Sequence, residues 1–168
     1  VNGAPALCLN GRPVPAVPYF STTCAHVSGP RARERERRRL MARMRDAGVH
    51  LHQSHPHTGW NGPGVYAPAA ASPEGHGETI DTTMARLLDV DPDGYFVARL
   101  STTPPWTWMA RHRDQMEVVA GATDLHRQVS WASDLWLADA GQALAAFIRY
   151  CEAQPWADHM AAYHFDGP

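Results

Sequence analysis

The stretch YFVARL at residues 95–100 decides the fold, because it is the clearest β-strand in the chain. Its aromatic and β-branched residues are types enriched in strands. The DPDG turn at residues 91–94 precedes it, where Pro presets φ and Gly permits a positive φ. A polar, proline-rich segment, STTPPWTW at residues 101–108, follows. The sequence therefore predicts a strand that delivers polar and aromatic side chains from its C-terminal end.

Strand and helix patterns alternate on both sides of this strand. Asn10-Gly11 predicts a hairpin, and residues 14–20 predict a first strand that two prolines weaken. The remaining elements are a helix over 31–47, a strand over 49–53, a short helix over 80–88, a helix capped by Ser133 and a strand over 160–165. Residues 55–77 show no periodicity and are expected to form a long loop. This order predicts a parallel sheet with crossover helices.

Polar and aromatic residues at the C-terminal ends of parallel strands are typical of a (β/α)8 barrel, which forms its active site there. A complete barrel of this kind needs roughly 200–250 residues. We therefore expect an α/β fold that is a partial (β/α)8 TIM barrel. Residues 1–168 would be the N-terminal half of the barrel domain, about the first four strand–helix units, with a short N-terminal β-hairpin and the remainder beyond Pro168.

Composition and charge exclude several classes of protein. The formal net charge of −2 gives no global attraction to nucleic acid or anionic lipid. No run of about 18 apolar residues is present, so no membrane span is expected. Three widely spaced cysteines, Cys8, Cys24 and Cys151, argue against a disulfide framework. We expect a soluble protein with no nucleic-acid or membrane partner, and leave self-association into a homo-oligomer open.

Residues 31–45 hold eight arginines among interspersed glutamates. Such a run is typical of a nucleic-acid patch or of a solvated helix face with Glu–Arg pairs three or four positions apart. The near-neutral net charge and the lack of interleaved aromatic residues favour the solvated face.

The end of the 95–100 strand offers groups suited to a carbohydrate. Arg99 lies where a guanidinium can hold a carboxylate in place. Trp106 and Trp108 offer flat apolar surfaces that stack on sugar rings, although both could also fill the barrel rim.

Four segments resemble the β-galactosidase-like glycoside hydrolases of clan A. Residues 97–112 are similar to the third-strand segment of that family, in which a strand is followed by a Pro-rich loop, a Trp and a short basic stretch. Residues 130–136 resemble the Ser-containing lead-in to the next helix, and residues 158–166 resemble the fourth strand. Residues 10–13, with Tyr19, are similar to the N-terminal hairpin and first strand.

The resemblance implies a retaining glycosidase, in which one carboxyl group protonates the leaving oxygen and a second attacks the anomeric carbon. By position, the acid/base Glu is expected just beyond Pro168, so neither catalytic carboxylate lies within these residues and the chain alone would be inactive. Arg99 would position that Glu, and Trp106 with Trp108 would stack on the substrate. His52, His164 and Asp166 would line the pocket. No cofactor and no metal are implied.

Two other functions compete with this one. The run HLHQSHPH at residues 50–57 places His50 and His52 on one face of a strand, as in the metal sites of amidohydrolase-like enzymes. No convincing third ligand accompanies them, so hydrogen bonding of His52 or His55 to substrate hydroxyls is the preferred role. The other alternative is a non-catalytic carbohydrate-binding remnant that keeps only the aromatic surface.

Overall fold

A computed structural model describes residues 6–20, 28–70, 77–117 and 128–167. In chain order, the elements are β1 (Leu7–Leu9), β2 (Arg12–Val14), β3 (Tyr19–Phe20), α1 (Pro30–Asp46), β4 (Leu51–Ser54), β5 (Trp60–Gly62), β6 (Val65–Tyr66), α2 (Ile80–Val90), β7 (Tyr95–Ser101), α3 (Trp106–Arg111), α4 (Asp134–Glu152) and β8 (Met160–Asp166). Single 3₁₀ turns at Arg113–Gln115 and Ala157–His159 complete the set.

The main sheet is parallel and has four strands in the order β3-β4-β7-β8. Tyr19 pairs with His52, and His52 pairs with Phe96, so the first three strands are in direct register. Helices separate the strands along the chain, as crossover connections require. The predicted α/β class and parallel topology are therefore confirmed, and the described residues do not close into a barrel.

The chain divides into two compact units. The first unit comprises Val1–Ser54, Asp81–Arg99 and Pro155–His164. Its core includes Met41 of α1, Met84 and Leu87 of α2 and Phe96 of β7, all buried. The spacing of Met84 and Leu87 places both on one face of α2, which explains why this short helix forms where the pattern predicted it.

The second unit comprises His55–Ile80, Leu100–Gln154 and Phe165–Pro168. Its core is rich in tryptophan, with Trp60, Trp108 and Trp136 packed among Met116, Val129 and two alanines of α4. Ser133 caps α4 as predicted, because its hydroxyl oxygen accepts a hydrogen bond of 3.1 Å from the Trp136 N–H.

Three local predictions need correction. Residues 55–77 contain the small antiparallel hairpin of β5 and β6, and the expected Trp-rich loop forms the helix α3. Gly94 does not adopt a positive φ. Its role is to leave space, because a Cβ there would lie 2.9 Å from both the carboxyl Oδ2 and the main-chain oxygen of Asp91.

The Asn10-Gly11 hairpin is confirmed, and both turn residues have the positive φ that such a turn needs. Cys8 and Cys151 are free thiols, whereas Cys24 lies outside the described residues. Within the described ranges, every helix is too short or too polar to cross a lipid bilayer.

Candidate functional site

In the first unit, the main sheet has two chemically different faces. Alternation along β7 buries Phe96 and Ala98 and leaves Val97 and Arg99 partly exposed. Phe96 lies beside side chains of α1 and α2, so its face is the helix-covered face. Arg99 lies on the opposite face, which we call the second face. In a (β/α)8 barrel, the face away from the helices is the interior.

The second face carries two of the predicted site residues. Register places Phe20 and Gln53 on it beside Val97. The Arg99 guanidinium lies over the Phe20 ring, with Cζ 5.6 Å from the ring centroid, within the range of a cation–π contact. The exposed His164 contacts Gln53 through a 3.1 Å hydrogen bond between Nδ1 and the amide Nε2. Arg99 and His164 therefore share a sheet face that carries polar side chains.

His52, which was expected to line the sugar pocket, lies on the helix-covered face instead and is only 2% exposed. It pairs with Phe96 in the sheet, and both border a cavity of about 20 Å³ against α1 and α2. A cavity of this size accommodates about one water molecule and no sugar. Because side chains alternate along β4, His52 and Gln53 lie on opposite faces of the sheet.

His52 takes part in a cluster with the buried Asp91 and the partly exposed His50. His52 Nε2 lies 2.9 Å from Asp91 Oδ2, and His50 Nδ1 lies 2.9 Å from Asp91 Oδ1. The Asp91 side chain is 1% exposed, so its carboxylate depends on these two imidazole N–H donors. The predicted same-face placement of His50 and His52 is confirmed. Both lie at the N-terminal end of β4. In (β/α)8 barrels, residues at this end of the strands contribute to stability and not to catalysis.

The cluster is not arranged as a metal site. One nitrogen of each imidazole, His50 Nδ1 and His52 Nε2, bonds to Asp91, and His52 Nδ1 is buried without a hydrogen-bond partner. No group of three ligand side chains suited to a metal occurs among the described residues. His57 Nδ1, in the second unit, accepts a 3.2 Å hydrogen bond from the Gly59 N–H. The histidine run thus forms local hydrogen bonds at separate positions.

Burial lowers the pKa of His52 below its ordinary value of 6.5, and the neighbouring Asp91 carboxylate offsets only part of this effect. Between the lowered pKa and 6.5, the unfolded chain binds more protons at this position than the folded chain. Stability should therefore fall as the pH drops below about 6.5 and level off below the folded pKa. Urea unfolding between pH 7.5 and 5 measures this slope. His52→Gln should reduce it, and an identical slope in the variant would contradict the prediction.

In the second unit, α3 separates the two predicted stacking residues. Trp106 and Trp108 are two positions apart, which places them about 200° apart around a helix. Trp108 is fully buried, and its indole N–H donates a 2.6 Å hydrogen bond to Asp139. Trp106 is 54% exposed. Of these two residues, only Trp106 is exposed enough for its ring to stack on a sugar.

Asp166 is the last residue of β8 and is partly buried. Its main-chain oxygen accepts a 2.9 Å hydrogen bond from the Thr102 hydroxyl. The Thr102 main-chain oxygen accepts a 2.9 Å bond from the indole N–H of Trp136. The C-terminal end of β8 is thus fixed to the segment that follows β7, with Asp166 held by its backbone.

The sequence did not single out Asp91, Tyr66 or Asp139. Asp91 was interpreted only as a turn residue, although its carboxylate joins the two histidines. Burial and the charge of Asp139 raise the pKa of Tyr66. Neither Tyr66 nor Asp139 has a sequence signal, because each acquires its role from residues distant in the chain.

The arginine run forms α1 with the ion pairs that its spacing predicts. Arg38 pairs with Glu34 at 2.8 Å, and Arg39 pairs with Glu36 at 2.5 Å. Glu34 also accepts bonds from the buried Arg86 of α2 at 2.9 Å. Burial alone would raise the pKa of Glu34, but Arg86 and Arg38 outweigh this effect and lower that pKa. Part of the run therefore connects α1 to α2.

No protein-family model matches this chain, and no curated protein is similar to it at a significant level.

Proposed function

We propose that this chain is the first half of the catalytic barrel of a retaining, β-galactosidase-like glycoside hydrolase. The observation that carries the proposal is the parallel order β3-β4-β7-β8 with Arg99 on the sheet face away from α1 and α2. In the proposed barrel that face would be the interior, where a cation near a strand end can orient a carboxylate.

The proposed chemistry needs two carboxyl groups about 5–5.5 Å apart, one acting as acid/base and one as nucleophile. In the proposed mechanism, the acid/base Glu follows the fourth strand and the nucleophile lies on a later strand. In the first unit, Arg99 orients the acid/base through its guanidinium, and His164 on the same sheet face is a proposed sugar-binding residue. In the second unit, Asp166 and Trp106 are proposed as a polar and a stacking residue for the sugar. Trp108 packs in the core beneath α3. It is therefore not part of the stacking surface, contrary to the prediction from the sequence.

Hydrolysis of aryl β-glycosides by the whole protein tests the proposal. We expect release of nitrophenol from 4-nitrophenyl β-galactoside or a related β-glycoside, with retention of the anomeric configuration visible by NMR. Sugar binding without hydrolysis would instead favour a non-catalytic carbohydrate-binding protein. Activity that depends on zinc would favour a metal-dependent hydrolase.

Trp106→Ala should weaken sugar binding by about 1–2 kcal/mol, because it removes an aromatic surface from the substrate. Folding should be little affected, since more than half of the side chain is already in solvent. Calorimetric titration of the whole protein with the sugar measures the change in affinity.

Trp106→Phe keeps a flat ring and should lose less affinity. Leu137→Ala, at a 63% exposed position on α4, controls for loss of surface apolar area. Wild-type affinity in Trp106→Ala would remove this residue from the site.

A further inference from the structure

Trp131 is the most exposed of the six tryptophans, with 62% of its surface accessible to solvent. Single exposed apolar residues are common on protein surfaces, so exposure alone assigns no role to this one. What distinguishes Trp131 is that its backbone is fixed, one face of its ring is open, and the ring touches the end of a strand of the main sheet.

The backbone of Trp131 lies in a tight turn that several hydrogen bonds hold. The Ser133 N–H donates a 3.0 Å bond to the Ser130 main-chain oxygen, which closes the turn around Trp131 and Ala132. The Ser130 hydroxyl oxygen accepts a 3.3 Å bond from the Ala132 N–H, and the Ser130 N–H donates a 2.9 Å bond to the main-chain oxygen of Gln115. The turn is therefore ordered before any ligand arrives, which lowers the entropy lost on binding.

Two contacts hold the indole ring and leave one of its faces open. The rings of Trp131 and Trp136 meet edge to face, with centroids 5.9 Å apart and an interplanar angle of 72°. A Cβ at Gly167 would lie 2.7 Å from Cη2 and 2.9 Å from Cζ2 of Trp131, but 4.0 Å from Cζ3. These distances place Gly167 beyond the edge of the ring and not above it. Since the contact with Trp136 covers at most one face, the other face is accessible to a ligand.

The ring lies at the C-terminal end of β8, because Gly167 directly follows Asp166, the last residue of that strand. The same end is connected to the core beneath Trp131. The Trp136 indole N–H bonds to the Thr102 main-chain oxygen, and the Thr102 hydroxyl bonds to the Asp166 main-chain oxygen, both at 2.9 Å. All five residues belong to the second unit. In the proposed barrel, substrate binds at this end of the strands.

We propose that Trp131 is a sugar-binding residue whose open face stacks on the C–H face of the sugar ring beside the bond that is cleaved. The inference rests on the proposed function and extends it, because it adds a second aromatic contact to that of Trp106. It assigns this contact to the ring beside the cleaved bond, since Trp131 touches the end of the strand that the acid/base is proposed to follow. The sugar hydroxyls remain in water or bond to polar neighbours, as a neutral hexose requires.

Trp131→Ala tests the stacking, because it removes the ring and leaves the turn. Calorimetric titration of the whole protein with galactose and other neutral hexoses identifies the sugar that binds most tightly. We expect its Kd to rise about tenfold in Trp131→Ala, the scale of one aromatic contact, and to rise less in Trp131→Phe. The sugar should also shift the indole N–H NMR signal of Trp131, which is identified by its loss in Trp131→Phe.

Gly167→Ala tests the same geometry without removing the ring. Gly167 does not have a positive φ, and the atoms nearest to the added Cβ all belong to the Trp131 ring, so the ring has to move. The Kd should therefore rise in Gly167→Ala, whereas adding this change to Trp131→Ala should have no further effect. Equal rises in the two backgrounds would contradict the placement of the sugar on this ring.

Leu137→Ala, at a 63% exposed position, is the matched control and should leave the Kd unchanged. An unchanged Kd in Trp131→Ala would overturn the stacking role alone, provided that the wild type binds and hydrolyses β-glycosides. Loss of self-association in Trp131→Ala with unchanged sugar affinity would also overturn it, and would assign the ring to a contact between copies of this chain. If the wild type neither binds nor hydrolyses β-glycosides, the proposed function fails and the stacking role with it.

Discussion

Arg99→Met is expected to lower kcat/KM of the whole protein for an aryl β-glycoside by at least about 100-fold. The scale is that of losing one preorganised charge contact in an active site. Arg99 lies on the second face, over the Phe20 ring, and its charge is the group proposed to orient the acid/base carboxylate. Methionine preserves much of the side chain's length and removes the charge and the hydrogen-bond donors.

Steady-state kinetics with circular dichroism on the same samples distinguishes a catalytic loss from a folding loss. Arg99→Lys retains the charge but not the planar fork, and should fall between wild type and Arg99→Met. Arg149→Met changes an exposed arginine near the end of α4 and should keep full activity. If Arg99→Met remains within fivefold of wild type, Arg99 has no part in orienting the acid/base.

Asp91→Asn is expected to have the largest effect on stability, lowering the free energy of unfolding by about 2–4 kcal/mol. The carboxylate accepts from both imidazoles, whereas an amide offers only one accepting oxygen, so one buried bond is lost. Equilibrium urea unfolding at pH 7.5 measures the change.

Asp93→Asn is the matched control, because it changes an exposed acid in the same turn and should cost less than about 0.5 kcal/mol. Equal stability of Asp91→Asn and wild type would show that the two histidines do not depend on the carboxylate. Activity per folded molecule should survive in both variants, since Asp91 lies before β7, at the end of the sheet opposite the strand C-termini.

Local patterns were sufficient to predict most of the elements in order, although β5, β6 and α3 were missed. The strand over 95–100, the Asn10-Gly11 hairpin and the Ser133 cap each depend on neighbouring residues, and each is present. The alternation of strands and helices was also sufficient to predict a parallel sheet, because a parallel pair needs a long crossover connection.

The orientation of the site residues could not be obtained in the same way. The spacing of His50 and His52 predicts that they share a face, but it cannot say which face the helices cover. That choice depends on Met41, Thr83 and Leu87, which are remote in sequence. Likewise, α3 has only six residues, too few for the period of its apolar positions to reveal a helix.

The helix α3 has a consequence for how the sequence of this protein can change over time. Trp106 projects into solvent, while Trp108, two positions on, is fully buried in the second unit. Exchange of an exposed side chain generally alters stability by less than about 0.5 kcal/mol, whereas loss of a buried tryptophan costs about 3–5 kcal/mol. Many substitutions are therefore tolerated at position 106, and almost none are tolerated at position 108. Within three residues, one position can vary at little cost in stability, and the other preserves the fold that makes such variation tolerable.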